Sequence, residues 1–345
     1  MAKTKTENTE NKTKFQETLD NLDKKYGKGT VVALDYKTNG HYDVISSGSV
    51  GFDWKTLGVG GFVKGKMYEL MGWEGVGKST ICGHAVAECQ KAGGKALYID
   101  SEHALDKKYF QALGVDTSKM LISQPNSGEE GFNIAMEMIQ SGELDLIVID
   151  SDSSLIPKKV IDGEVGDSAI GKKALLNSNA YPKLKNALVN NKVCVLVVSQ
   201  YREKIGMMFG NPTCTQGGHA LKYYADCRIE ISKSLAKKGD VVFGNTTKVK
   251  ATKNKMCPPY RGSSFDIVYG LGIDRIGEVM ELINEFDIAH KWGKKITIDE
   301  NEYEIGEFKT LVEDNMEFYE ELKEKIIDKI KNTEIPIEEV VEEEA

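Results

Sequence analysis

One eight-residue motif constrains the fold of this chain more than any other feature. The segment GWEGVGKS, residues 72–79, begins where the apolar run MYELMG ends and leads into a helical stretch near Ser79. A strand, a glycine-rich turn and a helix in this order let backbone amides close around phosphate groups. In such a turn Lys78 reaches the β- and γ-phosphates of a nucleotide, and Ser79 offers its hydroxyl to Mg²⁺. The predicted phosphate-binding residues are Gly72, Glu74, Gly75, Val76, Gly77, Lys78, Ser79 and Thr80.

Short apolar runs alternate with helical stretches through the middle of the chain. The runs MYELMG, ALYID, LIVID and VCVLVVSQ occupy residues 67–72, 96–100, 146–150 and 193–200. Near-continuous apolar strands separated by helices are typical of a mainly parallel sheet covered on both faces. Such sheets bind ligands at the carboxyl ends of their strands. The sequence therefore predicts an α/β nucleotide-binding fold with its site at that edge.

Two carboxylates follow apolar strands and are candidates for the chemistry. Asp150 ends LIVID, where a buried carboxylate is costly unless it holds an ion, so it fits a position beside Mg²⁺. A strand-end Asp standing alone is more often a cap or turn residue. Glu102 lies two residues beyond ALYID and is the candidate group that orients or deprotonates the attacking water. The alternative for Glu102 is an exposed loop carboxylate.

The chain divides into four parts by composition and pattern. The start carries apolar residues at helical spacing, Phe15, Leu19, Leu22 and Tyr26, which need a partner surface in this chain's core or on a neighbouring subunit. The acidic tail either favours solubility or shields basic surface on the small domain from a polyanionic partner. The predicted parts are a disordered start with a packing helix (1–40), an ATPase core (41–275) with two long connectors (157–173 and 201–218), a small C-terminal domain (276–333) and the tail (334–345).

Composition narrows the possible classes of protein. The 345 residues are 40% hydrophobic and 28% charged, which is typical of a globular chain. Apolar runs stay far below the ~18 residues that span a bilayer, so we expect a cytoplasmic protein without a membrane partner. Six cysteines without a CxxC pair disfavour a zinc site. Six of the eight excess negative charges lie in the tail, so net charge does not argue against a polyanionic partner.

The ordered motifs resemble those of the bacterial RecA family of homologous-recombination ATPases. The similarity runs from about Tyr26 to Asn315 and includes YGKGT, the phosphate loop, IDSEHALD, LIVIDS, GEVGDS, SQYREKIGMMFGNP, GGHALKYYADCR and KNK. Members of this family form helical filaments on single-stranded DNA with ATP between subunits, pair that strand with homologous duplex DNA and exchange strands. The resemblance implies a RecA-like core, ATP and Mg²⁺ as cofactors, and roles in DNA repair and the SOS response to DNA damage.

The resemblance also assigns expected roles around the nucleotide. Glu102 corresponds to the catalytic carboxylate, and Gln200 to the glutamine that senses the γ-phosphate and communicates with the adjoining DNA loop. Lys253 and Lys255 match a pair that reaches the ATP of the neighbouring subunit. The expected catalytic residues are Lys78, Glu102 and Gln200, the metal residues Ser79 and Asp150, and the adenine-side residues Asp106 and Tyr109.

The two connectors fall where the family has its DNA-binding loops. Basic groups and amides hold phosphates, while apolar side chains sit between stacked bases of a stretched strand. The alternative is a mobile lid whose apolar patch packs against the next subunit. The expected DNA contacts are Ile170, Gly171, Lys172 and Lys173 in the first loop, and Arg202, Lys204, Ile205, Met208, Phe209, Gly217 and Gly218 in the second.

Some positions depart from the family pattern. Leu175 and Pro182 stand where the family has arginine near the first loop, and Pro182 predicts a kink or a helix start. Thr213 replaces a glutamate and Tyr223 a phenylalanine. Two rival functions stay open: a motor such as a ring-forming helicase without strand exchange, and a low-turnover filament scaffold. The long second loop and KNK argue against the motor, and Glu102 argues against the scaffold.

Overall fold

The computed structural model describes residues 13–32, 42–165, 167, 170–203, 213–215, 217–299 and 301–335. The chain forms two compact units, Met1–Tyr42 and Asp43–Ala345. In the first unit a helix begins after Thr13, whose side chain accepts from the N–H of Gln16 while the Gln16 side chain accepts from the N–H of Thr13. This reciprocal cap satisfies two donors that a helix start otherwise leaves unpaired. Within the described residues, no helix is long and apolar enough to cross a membrane.

The secondary structure of the described residues follows the alternation seen in the sequence. The helices are α1 (Lys14–Tyr26), α2 (Lys78–Lys91), α3 (Lys107–Ala112), α4 (Gly128–Gln140), α5 (Lys158–Ile161), α6 (Lys172–Val189), α7 (Ala220–Tyr224), α8 (Arg275–Glu285), α9 (Ile305–Asp314) and α10 (Met316–Asn332). The strands are β1 (Val44–Ile45), β2 (Phe62–Val63), β3 (Met67–Gly72), β4 (Ala96–Asp100), β5 (Leu121–Ser123), β6 (Leu146–Asp150), β7 (Cys194–Glu203), β8 (Thr213–Thr215), β9 (Cys227–Lys238), β10 (Val241–Asn254), β11 (Gly262–Val268), β12 (Gly272–Ile273), β13 (His290–Trp292), β14 (Lys295–Ile298) and β15 (Asn301–Glu304).

One large sheet organises the second unit. Its strands follow the order β12-β11-β10-β9-β3-β7-β6-β4-β5, and β8 pairs with β7 beside this path. The strands from β9 through β3, β7, β6 and β4 to β5 pair in parallel, whereas β9 to β12 pair antiparallel. Every residue of β3, β4 and β6 is buried, as expected for strands covered on both faces. The predicted fold class is confirmed.

Helices cover the two faces of the sheet with separate apolar cores. On one face α2 packs through Ile81 and Val86 against Tyr68 and Leu196. On the other face α4 and α6 contribute Phe132, Tyr181 and Leu184. The sequence predicted a kink or a helix start at Pro182, but α6 begins at Lys172 and continues past it, so the helix start is wrong. The buried side chains of Tyr181 and Leu184 flank the proline and hold the helix against the sheet despite its missing N–H.

The last part of the chain builds a small α/β layer of its own. Strands β13 to β15 form an antiparallel sheet, and α8, α9 and α10 pack on it around a third apolar core. Glu278 of α8 is buried and accepts hydrogen bonds from the Ser49 hydroxyl and from the N–H groups of Val50 (3.1 Å) and Gly51 (2.9 Å). This carboxyl therefore joins the first helix of the small layer to the segment that precedes the large sheet.

Candidate functional site

The phosphate loop, residues 72–79, adopts the conformation that its glycines allow. Gly75 and Gly77 have φ angles of +69° and +97°, in the region that side chains disfavour. A side chain at Gly72 would lie 2.4 Å from the carbonyl oxygen of Ile231, so the loop also needs glycine for close packing. Helix α2 starts directly after Gly77, and its first N–H groups therefore face the loop. This arrangement is a ready site for an anion.

Lys78 is the first residue of α2, and its side chain reaches back to the start of the loop. Its side chain is buried, and its Nζ donates to the carbonyl oxygens of Gly72 (2.9 Å) and Trp73 (2.7 Å). Burial lowers the pKa of Lys78, while the nearby carboxylates of Asp150 and Glu102 act in the opposite direction. A phosphate group would offer a charged acceptor in place of the two carbonyls, and charge-assisted bonds are about twice as strong as neutral ones.

Asp150 lies at the end of β6, next to the start of α2. Burial raises the pKa of Asp150, although hydrogen bonds from Tyr98 and Ser79 counteract this rise. The Tyr98 hydroxyl donates to Oδ2 of Asp150 at 2.5 Å. A carboxylate beside a serine hydroxyl at an exposed helix start is a donor set of hard oxygens, and Mg²⁺ completes such sets with water and phosphate oxygens. Ser79 and Asp150 therefore fit Mg²⁺.

The structure brings Glu102 and Gln200 into direct contact. Oε1 of Glu102 accepts from Nε2 of Gln200 at 2.7 Å and from the hydroxyl of Ser151, also at 2.7 Å. Glu102 and Ser151 follow β4 and β6, and Gln200 lies in β7 where its parallel pairing with β3 ends, so the contact crosses the carboxyl ends of three parallel strands. The N–H groups of Ala104 and Leu105 donate to Asp100 and shape the turn that carries Glu102. Glu102, Ser151 and Gln200, which are distant in sequence, thus form one polar cluster near Lys78.

The two predicted adenine-side residues lie next to the phosphate helix. The hydroxyls of Tyr109 and Thr80 are 2.8 Å apart, which connects α3 to α2. Asp106 accepts from the N–H groups of Lys108 (2.8 Å) and Tyr109 (3.3 Å) and so caps the start of α3. The capping role was missed from the sequence, although an aspartate before a helical segment is a typical signal for it.

Lys253 and Lys255 bond to their own chain away from the phosphate loop. Nζ of Lys253 donates to the carbonyl oxygens of Lys222 (2.8 Å) and Tyr223 (3.0 Å), at the end of α7. Nζ of Lys255 lies 3.3 Å from Oδ1 of Asp226. Lys253 lies near the end of the long strand β10, and Lys255 follows that strand. Both side chains are at least partly exposed. Their side chains are therefore held by the segment that links the second connector to β9.

The described residues of the first connector present three large apolar side chains to solvent, Ile161, Val165 and Ile170. Ile170 is 93% exposed, and Gly171 starts α6 with a φ of +76°. Lys172 makes only a long contact of 3.5 Å to the carbonyl of Lys159. Lys173 instead turns inward, where its Nζ donates to the carbonyl of Leu155 at 2.7 Å and lies 3.4 Å from the buried carboxylate of Asp152. Burial lowers the pKa of Lys173, while Asp152 acts to raise it.

The described residues of the second connector form short strand segments and pack against α6, the helix that follows the first connector. Strand β7 extends to Glu203 and pairs with β8, with exposed Arg202 opposite Cys214. Gly217 and Gly218 have φ angles of +94° and +79°. Side chains there would lie 2.2 Å from Nδ2 of Asn177 and 3.1 Å from Cβ of Ala174, both in α6. Four predicted DNA contacts fall outside the described residues: Lys204, Ile205, Met208 and Phe209.

Three neighbours of the site were not found from the sequence. Trp73 in the phosphate loop lies edge-on to Tyr201, with ring centroids 6.1 Å apart. Lys233 donates to the carbonyl of Gly75 at 2.9 Å. Tyr98 holds Asp150, as described above. None of these contacts has a sequence signal, because each depends on which strands are neighbours in the sheet.

Comparison with known proteins decides the family. A family model described as the RecA N-terminal domain matches residues 13–274. The protein RecA of Cytophaga hutchinsonii is 45% identical over 339 residues, which cover 96% of this chain and 95% of the relative. The protein RecA of Porphyromonas gingivalis is 44% identical over 90% of this chain and 92% of its own, and that of Clostridioides difficile 42% over 90% of each. The chain belongs to the RecA family.

Membership confirms the resemblance that the sequence motifs indicated. As a RecA family member the chain is an ATP-dependent homologous-recombination protein and a DNA-dependent ATPase. The similarity extends over nine-tenths or more of both chains, so it includes the small layer after residue 274 as well as the core. The rival functions of a motor without strand exchange and of a low-turnover scaffold are not favoured by these matches.

Proposed function

We propose that this RecA family member assembles as a helical filament on single-stranded DNA, with ATP bound at the phosphate loop, and pairs that strand with homologous duplex DNA. The observation that carries the proposal is the 2.7 Å bond between Glu102 and Gln200. Glu102 lies beside the phosphate loop, and Gln200 lies one residue before Tyr201, where the second connector begins. A single contact therefore joins the site of hydrolysis to a segment that we assign to DNA.

Each residue around the phosphate loop has a separate role in ATP hydrolysis. Lys78 binds the β- and γ-phosphates, and Mg²⁺ held by Ser79 and Asp150 neutralises phosphate charge when bound. Glu102 orients and deprotonates the attacking water. Gln200 exchanges its bond to Glu102 for one to the γ-phosphate, which frees the Glu102 carboxylate for this task. Loss of the γ-phosphate returns the amide to Glu102 and moves the start of the second connector.

The two connectors together form the proposed surface for single-stranded DNA. Gly217 and Gly218 pack on α6, which begins at the end of the first connector, so the ends of the two connectors are in contact. Exposed Ile170 and Arg202 offer an apolar wedge and a cation. Such contacts are independent of base sequence, which suits a protein that reads homology through base pairing.

Lys253 and Lys255 make hydrolysis depend on assembly. Their side chains bond to residues of their own chain beyond the second connector, and we assign them to the ATP of the neighbouring subunit in the filament. Cations supplied from a second subunit stabilise the charge that develops on the transferred phosphoryl group, and such groups raise the rate by orders of magnitude. Filament formation on DNA would therefore complete the ATPase site.

The test is ATP hydrolysis with and without single-stranded DNA, in the wild type and in Gln200→Ala, with Lys78→Ala as the blank. We expect strong stimulation of the wild type by DNA. In Gln200→Ala we expect ATP binding without stimulation, because the amide that links the two sites is gone. Stimulation of Gln200→Ala equal to that of the wild type would contradict the role of this contact.

A further inference from the structure

Asp226 is a buried carboxylate with two lysine partners. It lies between α7 and β9, and its side chain is 4% exposed. Oδ2 accepts from the N–H of Met67 at 3.0 Å and from Nζ of Lys185 in a short contact. Oδ1 lies 3.3 Å from Nζ of Lys255. One carboxylate thus holds both a lysine of α6 and a lysine that we assign to the neighbouring subunit's ATP.

The two lysines are not equivalent partners. The Lys185 side chain is 25% exposed and makes the shorter contact, whereas Lys255 is 51% exposed and makes the longer one. Burial acts to raise the pKa of Asp226, but the bonds from Lys185 and Met67 and the charge of Lys255 together lower it. Lys185 is therefore the main counter-ion of Asp226, and Lys255 is the partner that can leave at lower cost.

The environment of Lys255 shows what holds it in place. Its neighbour Lys253 bonds to the carbonyls of Lys222 and Tyr223, so both lysines are held by residues 222–226 of their own chain. To reach a nucleotide on another subunit, Lys255 must leave Asp226. Removing the only cation from a buried carboxylate is strongly unfavourable, because the remaining charge is neither hydrated nor paired. A second cation that stays behind removes most of this cost.

We propose that Lys185 is a positioning residue of the ATPase, which neutralises Asp226 so that Lys255 can leave its own chain and reach the ATP of the neighbouring subunit. The inference rests on the proposed function, since it takes Lys255 to act across the filament interface. Without Lys185, the carboxylate of Asp226 has Lys255 as its cation among the described residues, and it retains that lysine.

The experiment compares four variants by DNA-stimulated ATP hydrolysis and by filament length on single-stranded DNA. We expect Lys185→Met to lower kcat about ten-fold, the size of a coupling between residues in one charge network, with little change in KM or filament length. Lys185→Arg restores the charge and is expected to restore most of the rate. Lys183→Met, two residues away on the exposed side of α6, is the matched control and keeps the wild-type rate.

The decisive variant combines Lys185→Met with Asp226→Asn. Asparagine still accepts from the N–H of Met67 but no longer traps Lys255, so we expect the double variant to recover most of the lost kcat. A purely structural role predicts the opposite, since the second change would remove a further buried bond. A wild-type kcat in Lys185→Met, or a double variant that is slower than Lys185→Met or fails to form filaments, would overturn the inference alone. A wild type without DNA stimulation would overturn it together with the proposed function.

Discussion

Tyr98→Phe tests the link between the buried sheet and the metal-binding residues. The substitution removes one hydroxyl and keeps the ring, which packs edge-on against Phe110 with centroids 5.3 Å apart. That hydroxyl donates to Asp150 at 2.5 Å, and both side chains are buried. A hydrogen bond to a charged group contributes about 1.5–3 kcal/mol. Because the Tyr98 bond stabilises the ionised carboxylate, its loss should raise the pKa of Asp150 further.

The direction of the pH effect follows from the charge that Mg²⁺ needs. Burial already raises the pKa of Asp150, and the variant raises it further, so the carboxyl takes up its proton at a higher pH. Since Mg²⁺ binds the ionised form, Mg²⁺-dependent ATP binding should weaken at a higher pH in Tyr98→Phe than in the wild type. The free energy of unfolding should fall most in alkaline buffer, where Asp150 is ionised, and least in acid.

The assay measures Mg²⁺-dependent ATP affinity across a series of buffers from mildly acidic to mildly alkaline. Tyr181→Phe is the matched control, because its hydroxyl donates to a different buried carboxylate, Asp152, at 2.6 Å and not to Asp150. We expect the control to lose stability without any shift in the pH dependence of ATP binding. The reasoning is refuted if both variants, or neither, shift that dependence.

Three further predictions concern separate parts of the molecule. Glu102→Gln should lower kcat for ATP hydrolysis by about 10²- to 10⁴-fold with ATP affinity nearly unchanged, because the amide cannot accept a proton from water. Single-turnover kinetics measure this loss, and a near-normal kcat would contradict the assigned role of Glu102. Arg202→Ala should weaken single-strand binding about equally for all base sequences and lower the slope of log affinity against log salt by roughly one unit, whereas a sequence-selective loss would contradict a phosphate contact. Burial raises the pKa of Glu278 to about 7, although bonds from Ser49 and two N–H groups lower it. The native state therefore keeps a proton that the unfolded chain releases, and this group's contribution to stability declines as pH rises from the ordinary carboxyl range to about 7. Glu278→Gln should flatten that decline in denaturant titrations at several pH values, and equal slopes in both proteins would refute the assignment.

Local chemistry explains which parts of the site could be predicted from the sequence. The phosphate loop is specified by consecutive residues, because glycine conformation and the helix start are local properties. The contact between Glu102 and Gln200 fits a simple rule, since Glu102 follows β4 and Gln200 lies where the parallel part of β7 ends, and the carboxyl ends of parallel strands share one edge. The fold class was accessible for the same reason, as near-continuous apolar strands are typical of a covered parallel sheet.

Other side-chain contacts join residues that are distant in sequence, and these contacts could not be predicted from the sequence. Lys173 was expected to contact DNA, yet its ammonium lies against Asp152, which no local pattern connects to it. Its DNA role stays a prediction that requires this side chain to turn outward. Lys185 and Asp226 are 41 residues apart and meet because α6 packs against α7, which ends just before Asp226. Pairs of this kind are set by tertiary packing and carry no periodic or motif signal.

The most direct test of the account is strand exchange itself. The assay incubates the protein and ATP with circular single-stranded DNA and either homologous or heterologous linear duplex, and measures joint molecules. The account predicts joint molecules with the homologous duplex alone, and none in Lys78→Ala. DNA-stimulated ATP hydrolysis without joint molecules from the homologous duplex would contradict it and would favour a motor that does not exchange strands.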